Sequence, residues 1–245
     1  LLDRSAVPFQ VVVTKADKIG RGTLAQTLAQ IEAELQKHPA AYPEIVVTSS
    51  EKGHGIATLR AIMGIIPKRT GTIRFDGRDM MPVPLHRTAH HGIGFVPEER
   101  GIFASLTVEE NLTLPPVVGK GGMTLDEIYD LFPNLHERRA SGGTKLSGGE
   151  QQMLAIARML RSGVRLLLLD EPTEGLAPVI VERIGEILIE LKKRGLTVLL
   201  VEQNFRFAAR VADRFYLMDH GTVVDSFATR DLAHHQQRLN EVLGV

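Results

Sequence analysis

Cysteine is absent from the 245-residue chain, so neither a disulfide framework nor a cysteine zinc site can exist. That suits the cytoplasm. No apolar run reaches the roughly 18 residues that a membrane-crossing helix needs; the longest, around 166–169 and 198–201, are strand-sized. An excess of one charge is missing too. Lys and Arg number 29, and so do Asp and Glu, so bulk charge gives no reason to expect a nucleic-acid partner. The opening residues Leu1-Leu2-Asp3-Arg4 lack an initiator Met and resemble neither a signal nor a transit peptide. The chain therefore reads as an interior stretch of a longer one. What is present is globular material, 43% hydrophobic and 24% charged, enough for one large or two small domains.

Short apolar runs alternate with helical patterns, which predicts an α/β fold with a mainly parallel sheet covered by helices. Strands are expected at 9–13, 44–47, 94–96, 165–169, 197–201 and 214–218. Leu24, Leu28, Ile31 and Leu35 recur at helical spacing over 23–37. Pro178 opens a second helix that ends in Lys192-Lys193-Arg194 before Gly195. Segments 72–75 and 222–225 each sit beside a turn pair, Asp76-Gly77 or His220-Gly221, as antiparallel strands do. The stretch from 100 to 140 is punctuated by Pro and Gly and mostly helical.

Four elements carry chemistry. Leu146-Ser147-Gly148-Gly149-Glu150-Gln151-Gln152 opens a helix. Ser147 with Glu150 three residues on is a capping box, and two glycines let a phosphate approach backbone N–H groups at a helix N-terminus. The run Leu166-Leu167-Leu168-Leu169 ends in Asp170-Glu171. Adjacent carboxylates at the carboxyl end of a parallel strand stand where such sheets bind ligands: Asp170 could hold Mg²⁺ through water, and Glu171 could polarise an attacking water. Glu98 follows Phe95-Val96-Pro97, and Gln203 follows Val201-Glu202. Each of the last two, alone, reads equally as a solvated strand end.

Together these residues resemble the ATP-binding subunits of ABC transporters over about 64–245. Ser147 through Gln151 is similar to the signature motif, Leu166 through Glu171 to the Walker B strand, and Gly175-Leu176-Ala177-Pro178 to the D-loop. Val96-Pro97-Glu98, the LTVEENL of 106–112, the DEPTEGLAP of 170–178 and Val201-Glu202-Gln203-Asn204 are the wording of the second ATP-binding subunit of branched-chain amino acid importers, the LivF type. That resemblance implies MgATP as ligand and head-to-tail dimers, homo- or heterodimeric, with a second ATP-binding subunit. It implies transmembrane permease partners and a place on the inner face of the plasma membrane. It gives Glu171 and Gln203 catalytic roles, Ser147, Gly148, Gly149, Gln151, Glu98 and Asp170 nucleotide contacts, and Asp170 and Glu98 the metal.

Such a subunit should begin with antiparallel strands, an aromatic for adenine and a Gly-x-x-x-x-Gly-Lys-[Ser/Thr] phosphate loop. None is found; Gly119-Lys120 is followed by Gly121 and fails the pattern. Residues 1–60 resemble instead the last third of an EngB-type ribosome-biogenesis GTPase, through Val11-Val12-Val13-Thr14-Lys15-Ala16-Asp17 and Thr48-Ser49-Ser50-Glu51-Lys52-Gly53. That resemblance implies guanine contacts by Thr14, Lys15, Asp17, Ser49 and Ser50, and GTP as a possible ligand.

The join near 55–64 has the strand–loop–helix plan of a phosphate loop. Superposed on one, Gly55 takes the last glycine, but Ile56 falls where Lys belongs and Ala57 where the Mg²⁺-binding hydroxyl belongs. Losing a single charge-stabilising donor costs about 3–4 kcal/mol of transition-state stabilisation, so the chain is expected to be catalytically impaired. The expected organisation is a GTPase C-terminal fragment at 1–60 joined to a truncated ABC domain at 61–245, with its helical subdomain near 100–160. The 72–75 strand is expected to be left as an unpaired edge. His86, His90, His91 and His234-His235 read as exposed helix ends rather than metal ligands. Arg138-Arg139 and Lys192-Lys193-Arg194 read as cationic helix ends and nothing more.

Overall fold

The fold is that of a computed structural model, which describes residues 10–14, 54–219 and 222–243. In chain order the elements are β1 (Gln10–Thr14), α1 (His54–Met63), β2 (Arg74–Phe75), β3 (Arg78–Asp79), α2 (Leu85–Thr88) and β4 (Ile93–Val96). Four helices follow: α3 (Val108–Thr113), α4 (Leu125–Leu131), α5 (Pro133–Glu137) and α6 (Gly148–Ser162). Then come β5 (Leu166–Asp170), α7 (Pro178–Lys193), β6 (Thr197–Val201), α8 (Phe205–Val211), β7 (Arg214–Asp219), β8 (Thr222–Ala228) and α9 (Leu232–Leu243). The strand expected at 44–47 and the helix expected at 23–37 lie outside the described residues. The chain divides into two compact units, one made of residues up to Leu85 and from Leu199, the other of His86–Val198.

In the first unit β1 lies between two parallel neighbours: Val12 pairs with Val201 of β6 and with Tyr216 of β7. β8 returns antiparallel to β7, Phe215 opposite Phe227, with a register shift at Leu217/Met218. Strands with parallel partners on both sides read as unbroken apolar runs, as Val11-Val12-Val13 does. Helix α1 turns Leu59 and Ala61 inward and ends at Gly64, whose φ of 78° suits a residue without a side chain. Arg69 ties the helix end to the segment after β3, donating from Nη1 to Ala61 O (3.0 Å) and from Nη2 to Met81 O (2.8 Å).

The expectation of an unpaired edge at 72–75 is corrected here. Arg74 and Phe75 pair antiparallel with Asp79 and Arg78 in a tight hairpin. Asp76 and Gly77 both have positive φ, 52° and 71°, as the favoured two-residue hairpin turn demands. Met80 N then donates to Ile73 O at 2.7 Å.

In the second unit β4 and β5 run parallel, with Phe95 opposite Leu168 and Val96 opposite Leu169. Helices α3 to α6 enclose Val108, Leu112, Ile128, Phe132, Leu135, Leu154 and Ile156, all fully buried. Three helices open with the same device. Thr107, Thr124 and Ser147 each accept from the backbone N–H three residues on, and Glu110, Glu127 and Glu150 reach back to the cap's own N–H. Helix α7 starts with Pro at its first turn and carries Lys192 and Lys193 in its last, as the helix dipole favours.

Candidate functional site

The signature segment is built from the cap outward. Ser147 Oγ accepts from Glu150 N, and Glu150 Oε2 accepts from Ser147 N at 2.7 Å. Ser147 is exposed at the head of a 15-residue helix. Gly149 is buried where α6 meets the start of α7: a Cβ there would fall 2.6 Å from Ile180 Cγ2. Only glycine allows that approach. Gln151 turns its amide inward, donating to Gly143 O (3.3 Å) and Leu146 O (3.2 Å).

Arg100 supplies a cation that the sequence reading did not single out. Its backbone is left-handed, φ 65°, a strained conformation for a residue with a side chain. Its guanidinium lies 3.3 Å from where a Gly148 Cβ would stand, and Nη1 is 3.4 Å from Gln151 Oε1. Arg138, expected to be only a helix-end charge, does more: Nη2 donates to Lys145 O at 2.8 Å, and Nε lies 3.8 Å from the Glu150 carboxylate. It fastens the turn that leads into the signature.

The carboxylate end is drawn together by the β4–β5 pairing. Because Val96 sits opposite Leu169, Glu98 and the pair Asp170-Glu171 leave neighbouring strand ends on the same side. Glu98 is exposed and Asp170 only 1% exposed. Glu171 is half-buried with φ 42°, strain of the kind that clusters at working sites. Gln203 is exposed after β6, in the other unit, while Glu202 beside it is buried and accepts from Asn204 N at 2.9 Å. Of the proposed base-reading residues, Thr14 ends β1; Lys15, Asp17, Ser49 and Ser50 lie outside the described residues.

For the magnesium of a nucleotide the second unit offers carboxylates alone. Asp170 and Glu98 offer carboxylates, and no cluster of three or more metal-binding side chains forms among the described residues, so most ligands would have to come from water and phosphate. In the first unit, Ala57 of helix α1 is buried at 6% exposure. No catalytic step follows from such a set.

One further residue escaped the sequence reading, and one that it named does more than expected. Asn111, 0% exposed, holds the loop before α3 by accepting from Phe103 N (2.8 Å) and donating to Phe103 O (2.9 Å). His235, expected to be an exposed helix end, pairs through Nδ1 with Asp225 Oδ2 at 2.7 Å and stacks on Phe227 at 4.1 Å. A His three residues into an amphipathic helix, with Asp and Phe two apart on the preceding strand, was the available signal.

An ABC transporter family model matches residues 51–174. It opens at Glu51, inside the segment that resembles a GTPase loop, and takes in α1. A branched-chain amino acid transport ATP-binding protein of Pseudomonas aeruginosa, BraG, is 40% identical over 209 residues, 81% of this chain and 85% of its own. A lipopolysaccharide export ATP-binding protein of Haemophilus influenzae, LptB, is 33% identical over 208 residues, 82% of this chain and 86% of its own. A probable LivF of Archaeoglobus fulgidus is 32% identical over 223 residues, 89% and 92%. Among solved structures, a nucleotide-free ATP-binding cassette superposes with a TM-score of 0.68 over 98% of this chain and 88% of that one, at 18% identity. A dimeric cassette bound to ADP and phosphate gives 0.63 over 93% and 87%, at 20% identity. These last two speak for the fold alone, that of a P-loop NTPase with a parallel sheet and helices. None of these likenesses is to an EngB-type GTPase, and they lend no support to a guanine-reading segment or a join of two families. With a family match over half its length and 40% identity across four-fifths of it, the chain belongs to the ATP-binding proteins of ABC transporters.

Proposed function

We propose that this chain is the ATP-binding subunit of a branched-chain amino acid importer which, by itself, does not turn ATP over. The importer reading is supported by the two relatives named for branched-chain amino acid transport and by the resemblance of Val96-Pro97-Glu98 and Val201-Glu202-Gln203-Asn204 to that group's wording. A relative named for lipopolysaccharide export is 33% identical, so the identities alone do not choose the cargo. In this reading the subunit docks on transmembrane permeases at the inner face of the plasma membrane and pairs with a second ATP-binding subunit.

The observation that carries the impairment is Ala57, a buried alanine at 6% exposure in the helix that stands for the phosphate-loop helix. With Ile56 before it, the triphosphate loses both a cation and a metal-ordering hydroxyl. The capped N-terminus of α6 retains the element that would meet a nucleotide held by the partner subunit. The chain therefore lends half a site: Ser147, Gly148 and Gly149 would meet phosphate oxygens bound across the dimer, while the general-base role of Glu171 and the water-orienting role of Gln203 would stay idle without a nucleotide on this chain. The test mixes the purified chain with an intact ATP-binding subunit whose own signature serine is replaced by arginine. Turnover restored on mixing, and lost again with Ser147→Arg in this chain, is the expected result. Turnover by the chain alone would contradict it.

A further inference from the structure

The Arg100 guanidinium stands at the head of the signature helix with nothing on the chain to balance its charge. Its side chain makes a single bond, from Nη1 to Gln151 Oε1 at 3.4 Å, and it forms no ion pair among the described residues, although Glu98 and Glu99 directly precede it. Glu150, the carboxylate of the cap, is engaged already. Its Oε2 accepts from the backbone N–H and the hydroxyl of Ser147, and its Oε1 lies 3.8 Å from Arg138 Nε. The start of a helix carries partial positive charge and disfavours a cation. Two guanidiniums and one shared carboxylate therefore leave a surplus of positive charge beside Ser147, which is exposed.

Gly148 admits this cation. A Cβ there would fall 3.3 Å from both Nη1 and Nη2, so the two arms of the fork stand equally near a bare Cα. Glycine is a poor helix former, and here its missing side chain leaves room for the guanidinium, as the missing one at Gly149 leaves room for Ile180. Arg100 is half-buried rather than enclosed. The fork is held in place and can still be reached by a ligand at the start of α6.

We infer that Arg100 is a phosphate-contacting residue of the shared nucleotide site, its guanidinium pairing with the terminal phosphate of a nucleoside triphosphate that the partner subunit holds against Ser147, Gly148 and Gly149. The inference rests on the reading of this chain as the lender of half a site. A planar fork of N–H groups matches two phosphate oxygens at once. An arginine delivered across an interface stabilises charge on a transferring phosphoryl group, by about 10³–10⁵ in rate in the phosphate-loop enzymes that use one. A diphosphate is one phosphate too short and leaves the fork empty, so Arg100 lets this chain sense the third phosphate.

The experiment mixes the full chain with an intact ATP-binding subunit whose own signature serine is replaced by arginine, so that hydrolysis depends on the signature this chain supplies. Steady-state kcat and KM for MgATP are measured on the mixture, and thermal melting on the free chain. Arg100→Gln, which removes the charge, is expected to lower kcat/KM at least tenfold and to leave the melting temperature unchanged or higher. Arg100→Lys, which keeps a point charge, is expected to retain more activity than Arg100→Gln. Arg100→Gly suits the left-handed backbone at φ 65° and is expected to lose as much as the Gln variant, so it decides should that variant not fold. Gln and Gly variants as active as wild type overturn the inference, as does a Lys variant no better than Gln, or a melting temperature lowered together with activity. Each of these leaves the half-site reading intact. Inorganic phosphate is expected to leave the melting of the free chain unchanged; a rise that Arg100→Gln abolishes would assign the fork to free phosphate and overturn the contact across the dimer. A wild-type mixture without turnover overturns the inference and the half-site reading together.

Discussion

Gly119 and Gly163 lie backbone against backbone, each filling the space in which the other's Cβ would stand. A Cβ on Gly163 would fall 2.5 Å from Gly119 O and 2.8 Å from Gly122 N, and Gly163 is also left-handed, φ 79°. The 115–122 loop thereby straps the C-terminal end of the signature helix, with Val118 N donating to Ser162 O at 2.9 Å.

Alanine at either glycine must push backbone from backbone. Overpacking of this kind costs about 1–3 kcal/mol, and in a chain of this size each kcal/mol lowers the melting temperature by about 2–4 °C. Gly119→Ala and Gly163→Ala are each expected to melt several degrees below wild type in differential scanning calorimetry, Gly163→Ala more so. Equal melting temperatures would mean that the loop is not held there.

Ser147→Ala removes the acceptor for Glu150 N at the head of α6. Loss of an N-cap costs about 1 kcal/mol, so hydrogen exchange at the first amides of α6 is expected to quicken several-fold while amides near Leu154 and Ile156 hold. Uniform quickening along the helix would point to global rather than terminal loosening.

Glu110 and Glu127 have pKa values below the ordinary 4.5, chiefly because the backbone N–H of Thr107 and of Thr124 binds the charged form, with the threonine hydroxyls adding to it. A depressed carboxyl contributes stability that is fully present above its unfolded value and lost as pH falls through the folded one. Wild type is therefore expected to lose stability below about pH 4.5 more steeply than the Glu110→Gln/Glu127→Gln double variant. Thermal melts between pH 7 and pH 3 give the comparison, and parallel curves would exclude the two caps as its source.

The Tyr129 phenol is pushed up to about 12 by burial, then by the charge of Glu109, to which it donates at 3.2 Å. Its neutral form is favoured in the folded state, so stability is lost as pH rises from the ordinary tyrosine value near 10 toward 12. Absorbance titration is expected to lose a component near pH 12 in Tyr129→Phe. An unchanged titration curve would contradict the burial.

The sequence disclosed the strand ends and the signature because each rests on local rules. The Leu166–Asp170 run and the Ser147–Glu150 spacing depend on neighbours a few residues away. Thr107-x-x-Glu110 and Thr124-x-x-Glu127 carried the same local signal and passed unremarked, one within a stretch valued only for its family wording. The hairpin at 74–79 was half legible: Asp76-Gly77 marked the turn, but the partner was sought in strands expected earlier in the chain rather than across the turn itself. Arg158 beneath Phe103, His235 against Asp225 and Arg100 over Gly148 bring together residues 55, 10 and 48 positions apart, and no local pattern announces such meetings. Arg158 was the least legible, because a cation mid-helix ordinarily faces water.

The most direct test of the account is steady-state ATP hydrolysis by the purified chain with Mg²⁺, beside Glu171→Gln. On the proposal that Ile56 and Ala57 stand at the positions of the lysine and the hydroxyl, wild type and variant are expected to be indistinguishable from buffer, and Ile56→Lys/Ala57→Thr to raise the rate above both. Turnover by the unaltered chain that Glu171→Gln abolishes would contradict the central claim.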